Sequence, residues 1–319
     1  MAAFSLAKTA MAGHNKDKFT GERGTAMKAT VYFTRDITPE KVVALYGALG
    51  KTLSGKVAVK VHSGEKGNQN FLRPEFWKPM IDAVGGTVVE CNTAYEGERN
   101  TTEKHRKLIE YHGWSHYFPT DLMDAEGPDL ELAVPNGKVL KRNLVGKNMQ
   151  NYDSMLVLSH FKGHPMGGYG GALKQLSIGC ASSAGKCYIH SGGAVTDQET
   201  VWENCATQEG FCEAMADAAM SVVDFFRGNA AYINVMKNLS VDCDCCAVAE
   251  DPCMRDIGML ASLDPVALDQ ACIDLVYAAT DDPGQKHFIK RVETRGGIHT
   301  IEAAAALGFG SREYELVEL

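Results

Sequence analysis

Lys56-Val57-Ala58-Val59-Lys60-Val61, followed by Arg73-Pro74-Glu75 and then by Gly85-Gly86-Thr87-Val88-Val89-Glu90-Cys91, is the stretch whose reading decides the fold. Val57, Val59 and Val61 alternate as a strand requires. Pro74 and Glu75 suit the first turn of a helix, which Gly85-Gly86 closes, and Thr87 to Cys91 is a second short strand. The same rhythm extends outward. Ala29 to Phe33 reads as a strand, and Thr38-Pro39-Glu40 opens a helix that Gly50 can end. Thr102-Glu103 begins another helix, stopped at Gly113. Strand and helix in alternation predict an α/β fold, a mostly parallel sheet with helices on both faces.

Further along, Met155 to Leu158 is a continuous apolar run, as in a buried parallel strand. Residues 208–227 carry Phe211, Met215, Ala218, Ala219, Val222 and Phe226, a helical apolar stripe. Strands are expected at 231–236 and 257–260, and helices from Asp264-Pro265 to about Ala279, at 285–294 and at 300–307. Pro128 and Pro135 mark a seam. Two Rossmann-like lobes are therefore expected, at 27–125 and 140–319, after a polar, aperiodic N-terminal arm at 1–26.

The balance of charge narrows the partners. The chain has 319 residues, is 45% hydrophobic and 23% charged, and carries a net charge of −8. It has no Lys/Arg run, which argues against nucleic acid and against an anionic membrane surface. No apolar run approaches the roughly 20 residues that span a bilayer, and the N-terminus lacks the pattern of a secretion signal. A cytoplasmic protein is expected. Of its 10 cysteines, three stand in Cys243-Asp244-Cys245-Cys246. Such vicinal thiols with acidic neighbours suit metal or redox chemistry better than a disulfide framework.

In open α/β sheets the ligand sits beyond the carboxyl ends of the strands, so the loops after strands are where chemistry is sought. The first, Ser159 to Lys174, holds Gly167, Gly168, Gly170 and Gly171, expected to cradle an anionic cofactor or substrate with their backbone N–H groups. Four residues are expected to be catalytic: Lys162 and Lys174, which would stabilise developing negative charge, and His164 with His62 from the loop after the second strand, as candidate acid–base groups. The glycine spacing fits neither a Walker A loop nor a dinucleotide fingerprint. The second loop supplies Cys243, Cys245 and Cys246, expected with His160 and His190 to bind a metal: zinc, iron or an iron–sulfur cluster. The competing readings are a Gly-rich turn with surface histidines and a set of inert cysteines. Cys180, Cys187, Cys205, Cys212 and Cys272 are expected to be packing residues. Lys60 with the loop at 61–70 (Glu65 and Asn68 among its polar groups) and the loop at 92–102 (with Tyr95 and Arg99) offer further groups for substrate oxygens.

Together Val57-Ala-Val-Lys60, Glu90-Cys-Asn-Thr-Ala-Tyr95, Ser159-His-Phe-Lys-Gly-His164, Gly170-Gly-Ala-Leu-Lys174, Asp242-Cys-Asp-Cys245 and Asp256-Ile-Gly-Met-Leu-Ala-Ser262-Leu-Asp-Pro-Val-Ala267 resemble a bacterial and archaeal family of unknown function, labelled uncharacterised iron–sulfur centre protein. The resemblance covers nearly everything after residue 27. Many members carry a ferredoxin module inserted after the segment matching Tyr188 to Gly193. Here the stretch from Gly193 to Gln208 is too short for one and has a single cysteine. The resemblance implies an iron–sulfur label and no established reaction.

These readings converge on a metal- or cluster-dependent, oxidoreductase-like enzyme for a small anionic metabolite. Two alternatives stand beside it: a noncatalytic carrier handing metal or cluster to a redox or metal-transfer partner, and a binding module for a phosphorylated or carboxylated metabolite. A homo-dimer is expected from base rates alone.

Overall fold

The computed structural model describes residues 28–319, so the arm expected at 1–26 lies outside them. The strands are β1 Ala29–Thr34, β2 Val57–Lys60, β3 Thr87–Glu90, β4 Thr120–Leu122, β5 Leu130–Ala133, β6 Arg142–Val145, β7 Ser154–His160, β8 Lys162–His164, β9 Gly168–Gly170, β10 Ala230–Met236, β11 Gly258–Ser262 and β12 Tyr314–Glu318. The helices are α1 Pro39–Ala48, α2 Pro74–Val84, α3 Thr102–Tyr111, α4 Trp114–Tyr117, α5 Ala172–Lys174, α6 Ser183–His190, α7 Gln208–Phe226, α8 Pro265–Ala278, α9 Gln285–Thr294 and α10 Gly297–Leu307.

Eight strands form one mixed sheet in the order β12-β1-β11-β10-β7-β2-β3-β4. Its neighbours are parallel except where β11 runs antiparallel to β1 and β10. The segments expected as separate lobes, 27–125 and 140–319, both feed this sheet, and β2 pairs directly with β7 across the expected seam. The reason is visible in the seam itself: after β4 the chain makes the small β5–β6 hairpin and a short 3-10 turn at Lys147–Asn151 before β7 pairs with β2.

The period of two along β7 fills two cores at once. Met155 and Val157 join α7, α8 and α10 on one face, whereas Leu156 and Leu158 join α1, α2 and α4 on the other. Helices thus cover both faces, as the wholly buried strands demand. From β2 the chain winds outward through β3 to β4, then restarts on the other side with β7 and β10. The strand order therefore reverses between β2 and β7. That makes the carboxyl ends of these two strands the natural ligand crevice.

The stretch from Ser159 to Gly171, expected as a loop, is partly a hairpin in which β8 pairs antiparallel with β9. This hairpin is pressed onto the cysteine loop. The Gly163 N–H donates to the Ser240 carbonyl at 2.8 Å, and a Cβ on Gly163 would lie 2.3 Å from the Val241 carbonyl oxygen. Gly163→Ala is expected to cost about 1–3 kcal/mol through this overpacking. Chemical denaturation checks it, and an unchanged midpoint would show that the two loops do not need this close approach.

Candidate functional site

A cavity of about 290 Å³ lies at the switch point. Its walls come from the strand ends and post-strand loops named above: Lys60 at the end of β2 and His62 after it, Glu90 at the end of β3 and Cys91 to Arg99 after it, Lys162 to Gly171 after β7, and Cys245 and Cys246 after β10. Of the residues expected to be catalytic, Lys162, His164, Lys174 and His62 all line it, and so do His190 and Cys246.

The cysteine loop is held in place by its neighbours. Asn68 donates to the carbonyls of Cys246 at 2.9 Å and Cys243 at 3.3 Å, Gln69 to that of Ala249, and Asn70 to that of Glu250. Arg291 from α9 donates to the Val241 carbonyl and pairs with Asp242. The polar loop at 61–70 is therefore largely a clamp. Asn68 is its centre, since its own carbonyl also accepts the N–H groups of Asn70 and Phe71. Asn68→Ala is expected to cost about 2–3 kcal/mol, because it unpairs several buried groups. Hydrogen exchange should then quicken at 242–249, and unchanged exchange there would exclude the clamp.

Buried beneath the loop is an ion cluster. Asp244 meets Lys162 at 2.8 Å and His160 at 2.9 Å, with all three side chains at most 4% exposed. Burial opposes the Asp244 charge, but His160 and Lys162 hold its carboxyl well below the usual range. Burial alone would lower Lys162, yet Asp244 together with Cys243 and Cys245 outweighs it and keeps the ammonium charged. The second ring nitrogen of His160 faces the Lys237 carbonyl at 2.6 Å. Both nitrogens of His160 are thus occupied, which leaves none to bind the metal expected there.

Cys243 and Cys245 place their sulfurs together with a nitrogen of His164, all within 4.8 Å of one another. Cys243 Sγ receives the Cys245 N–H at 3.4 Å and lies 3.9 Å from Lys174 Nζ. His164 Nε2 is 3.8 Å from Cys245 Sγ, and its Nδ1 accepts the N–H groups of Met166 and Gly167. An Nδ1 that accepts leaves the ring proton on Nε2, aimed at sulfur. Burial and Lys174 push His164 down to about 4, so the ring is neutral near pH 7. Cys246 and His190 lie outside this group of donors. His190 instead stacks on Phe211, and burial with Lys174 and Lys186 pushes it down to about 3.

The glycines act differently from expectation. The free N–H groups at the start of α5 are those of Ala172 and Leu173, and both donate to the Asp269 carboxylate, at 2.8 and 2.9 Å. Asp269 also accepts from Tyr169 and Asn234. A Cβ on Gly171 would sit 2.4 Å from Asp269, and one on Gly168 2.8 Å from the Val292 carbonyl. The chain's own carboxylate therefore fills the expected anion cradle. Only Gly170 and Gly171 of the four border the cavity.

Sequence reasoning missed Lys186, Asp244 and Asp269. Lys186 had a signal: Ser182 caps α6 by accepting the Gly185 N–H, and Lys186 stands four residues before His190, on the same helix face. A π-helical turn at Gln175–Gly179 also borders the cavity. Nothing in the residue pattern announces it.

Among the described residues no helix is long and apolar enough to cross a membrane. A second group, Glu209, Glu213 and His299, could also hold an ion, but Glu213 already pairs with Lys138 and His299. Neither group gathers the four thiolates of an iron–sulfur cluster.

No curated protein matches the chain. Among solved structures, the lactate racemase apoprotein from Thermoanaerobacterium thermosaccharolyticum is similar at 12% identity and a TM-score of 0.39, over 64% of this chain and 50% of that one. A Thermotoga maritima protein is similar at 10% identity and a TM-score of 0.39, over 84% of this chain and 59% of that one. This chain thus spans only about half to three-fifths of the length of either. The sequence comparison reaches further: residues 57–274, which include every residue bordering the cavity, match the family described as Domain of unknown function (DUF362), and the chain belongs to that family.

Proposed function

We propose that the chain is a metal-dependent enzyme acting on a small anionic metabolite in the switch-point cavity. The observation that carries this reading is the meeting of Cys243, Cys245 and His164 beside a cavity bordered by four lysines and an arginine. Two thiols and an imidazole suit a single thiophilic ion such as zinc or iron, with room left for substrate. Cys243 and Cys245 would hold the ion. His164 becomes a third ligand only by releasing its Nε2 proton, and otherwise donates to the Cys245 sulfur. A bound ion would polarise a substrate oxygen. The chain's own cations orient the anion and stabilise negative charge that develops on it. The deep burial of Cys243 favours an enzyme over a carrier, which must release its cargo. All 10 cysteines are free, which suits a reducing, cytoplasmic setting.

The test is elemental and acid-labile sulfide analysis of the full chain purified without oxygen. About one zinc or iron per chain without sulfide is the expected result. Sulfide in proportion to iron would replace the single ion by a cluster, and a metal-free protein that takes up neither ion would sink the reading.

A further inference from the structure

The charges around the cavity say more about its ligand. Five cationic side chains border it, and three have a carboxylate partner: Lys60 pairs with Glu90, Arg99 with Glu65 and Lys162 with Asp244. Lys174 and Lys186 have no carboxylate partner among the described residues. Lys186, 6% exposed, donates only to the Ala181 carbonyl, and Lys174 approaches only the Cys243 sulfur. Loading the thiol pair does not cancel them, because a divalent ion with two thiolates is neutral overall. Beside both stands His190, a side chain 8% exposed whose Nδ1 has no hydrogen-bond partner.

A second feature lies elsewhere on the wall. His62 Nδ1 accepts the Gly64 N–H, so the neutral ring carries its proton on Nε2. Burial and Arg99 hold His62 well below its ordinary value, which keeps it neutral. Its Nε2 lies 3.4 Å from Arg99 Nη1, which is also a donor. Two N–H groups that meet without an acceptor need an oxygen between them. Lys174 ends α5 and Lys186 and His190 stand on α6, whereas His62 and Arg99 stand on the loops after β2 and β3, so the two donor sets are carried by different elements of the wall. The wall also has an apolar part, with Ala94, Met166, Ile178 and Trp202.

We propose that the cavity takes a small dicarboxylate with a short apolar body, one carboxylate meeting Lys174 and Lys186 and the other bridging His62 and Arg99. The proposal rests on the reading of this cavity as the substrate site. Size agrees with it. At about 30 Å³ per water, a volume of about 290 Å³ has room for on the order of ten waters, which suits a small metabolite. A phosphomonoester places both charges on one group and leaves one donor set without an acceptor.

Calorimetric titration of the full chain with malonate, succinate, glutarate, butyrate and inorganic phosphate, at constant ionic strength, tests this. At least one dicarboxylate should bind about tenfold or more tightly than butyrate and phosphate, as expected for an added charged hydrogen bond. Lys174→Met and Lys186→Met should each erase that advantage, and Lys186→Arg should restore part of it. Should Lys186→Met fail to fold, Lys174→Met carries the test. Equal binding of dicarboxylates and butyrate, tighter binding of phosphate, or no binding of any probe would overturn the proposal. Metal analysis of the same samples separates the two ideas. A metal-loaded protein that ignores dicarboxylates fails only this proposal, whereas a metal-free protein that binds them fails only the metal reading.

Discussion

Asp244→Ala is expected to lower folding stability by about 3–5 kcal/mol, the cost of leaving a buried charge without its partner. Asp244 is 1% exposed and is the shared counter-ion of Lys162 and His160, which are themselves buried. Removing its carboxylate leaves the buried Lys162 charge without its partner. The residue also joins two loops, since its backbone carbonyl accepts the Glu65 N–H at 2.8 Å. Asp244→Asn keeps the shape and part of the hydrogen bonding, so its loss should be smaller but still above about 1 kcal/mol. Acid adds an independent check. The folded carboxyl lies well below its unfolded value of about 3.9. Its contribution is therefore complete above about pH 4–5 and drains away as the pH falls below that toward the folded value. The native chain should lose stability steeply on that limb, and Asp244→Ala should show a shallower slope. Two variants within about 1 kcal/mol of native, with identical acid limbs, would mean the ion cluster does not hold the loops.

The sheet and the position of the cavity were legible because they rest on local signals. Alternating valines at 57–61, Pro74 after an extended residue and Gly85-Gly86 as a stop each act within one turn or strand, and the structure has β2, α2 and β3 there. The rule that ligands gather at carboxyl ends then pointed to the loops that border the cavity. What could not be read is what depends on distant partners. Asp269 lies nearly 100 residues after the amides it caps, so the glycines before α5 look like an open anion cradle until α8 is placed over them. His160 and His164 are alike in sequence, both on the segment that ends β7 and begins β8. One is locked between Asp244 and Lys237, and the other faces the thiols. Only the path of the cysteine loop, which Asn68 fixes from across the sheet, tells them apart.

The largest functional effect is expected from Cys243→Ser combined with Cys245→Ser. Bound metal should fall from about one per chain to nearly none, because a serine hydroxyl is a hard, protonated donor where a thiophilic ion needs thiolate. The fold should survive. Serine nearly matches cysteine in shape, and at position 243 its oxygen can still accept the Cys245 N–H that now reaches the sulfur. Denaturation of the metal-free variant and the metal-free native chain should therefore differ by no more than about 1 kcal/mol. With metal present the two should diverge. An ion that binds only the folded state adds about 2.7 kcal/mol at 100 times its dissociation constant, and the native chain alone should show that gain. Cys246→Ser is the control. Its sulfur lies outside the group formed by Cys243, Cys245 and His164, so that variant should keep its metal. Burial raises the Cys243 thiol; the hydrogen bond with Cys243 lowers that of Cys245, but the Cys246 contact and burial together raise it. Both are therefore thiols before loading, and binding must expel their protons into the medium. Proton release measured on adding zinc in unbuffered solution should be close to two per ion from these residues, and close to zero in the double variant. Full metal retention in the double variant would move the centre away from Cys243 and Cys245 altogether.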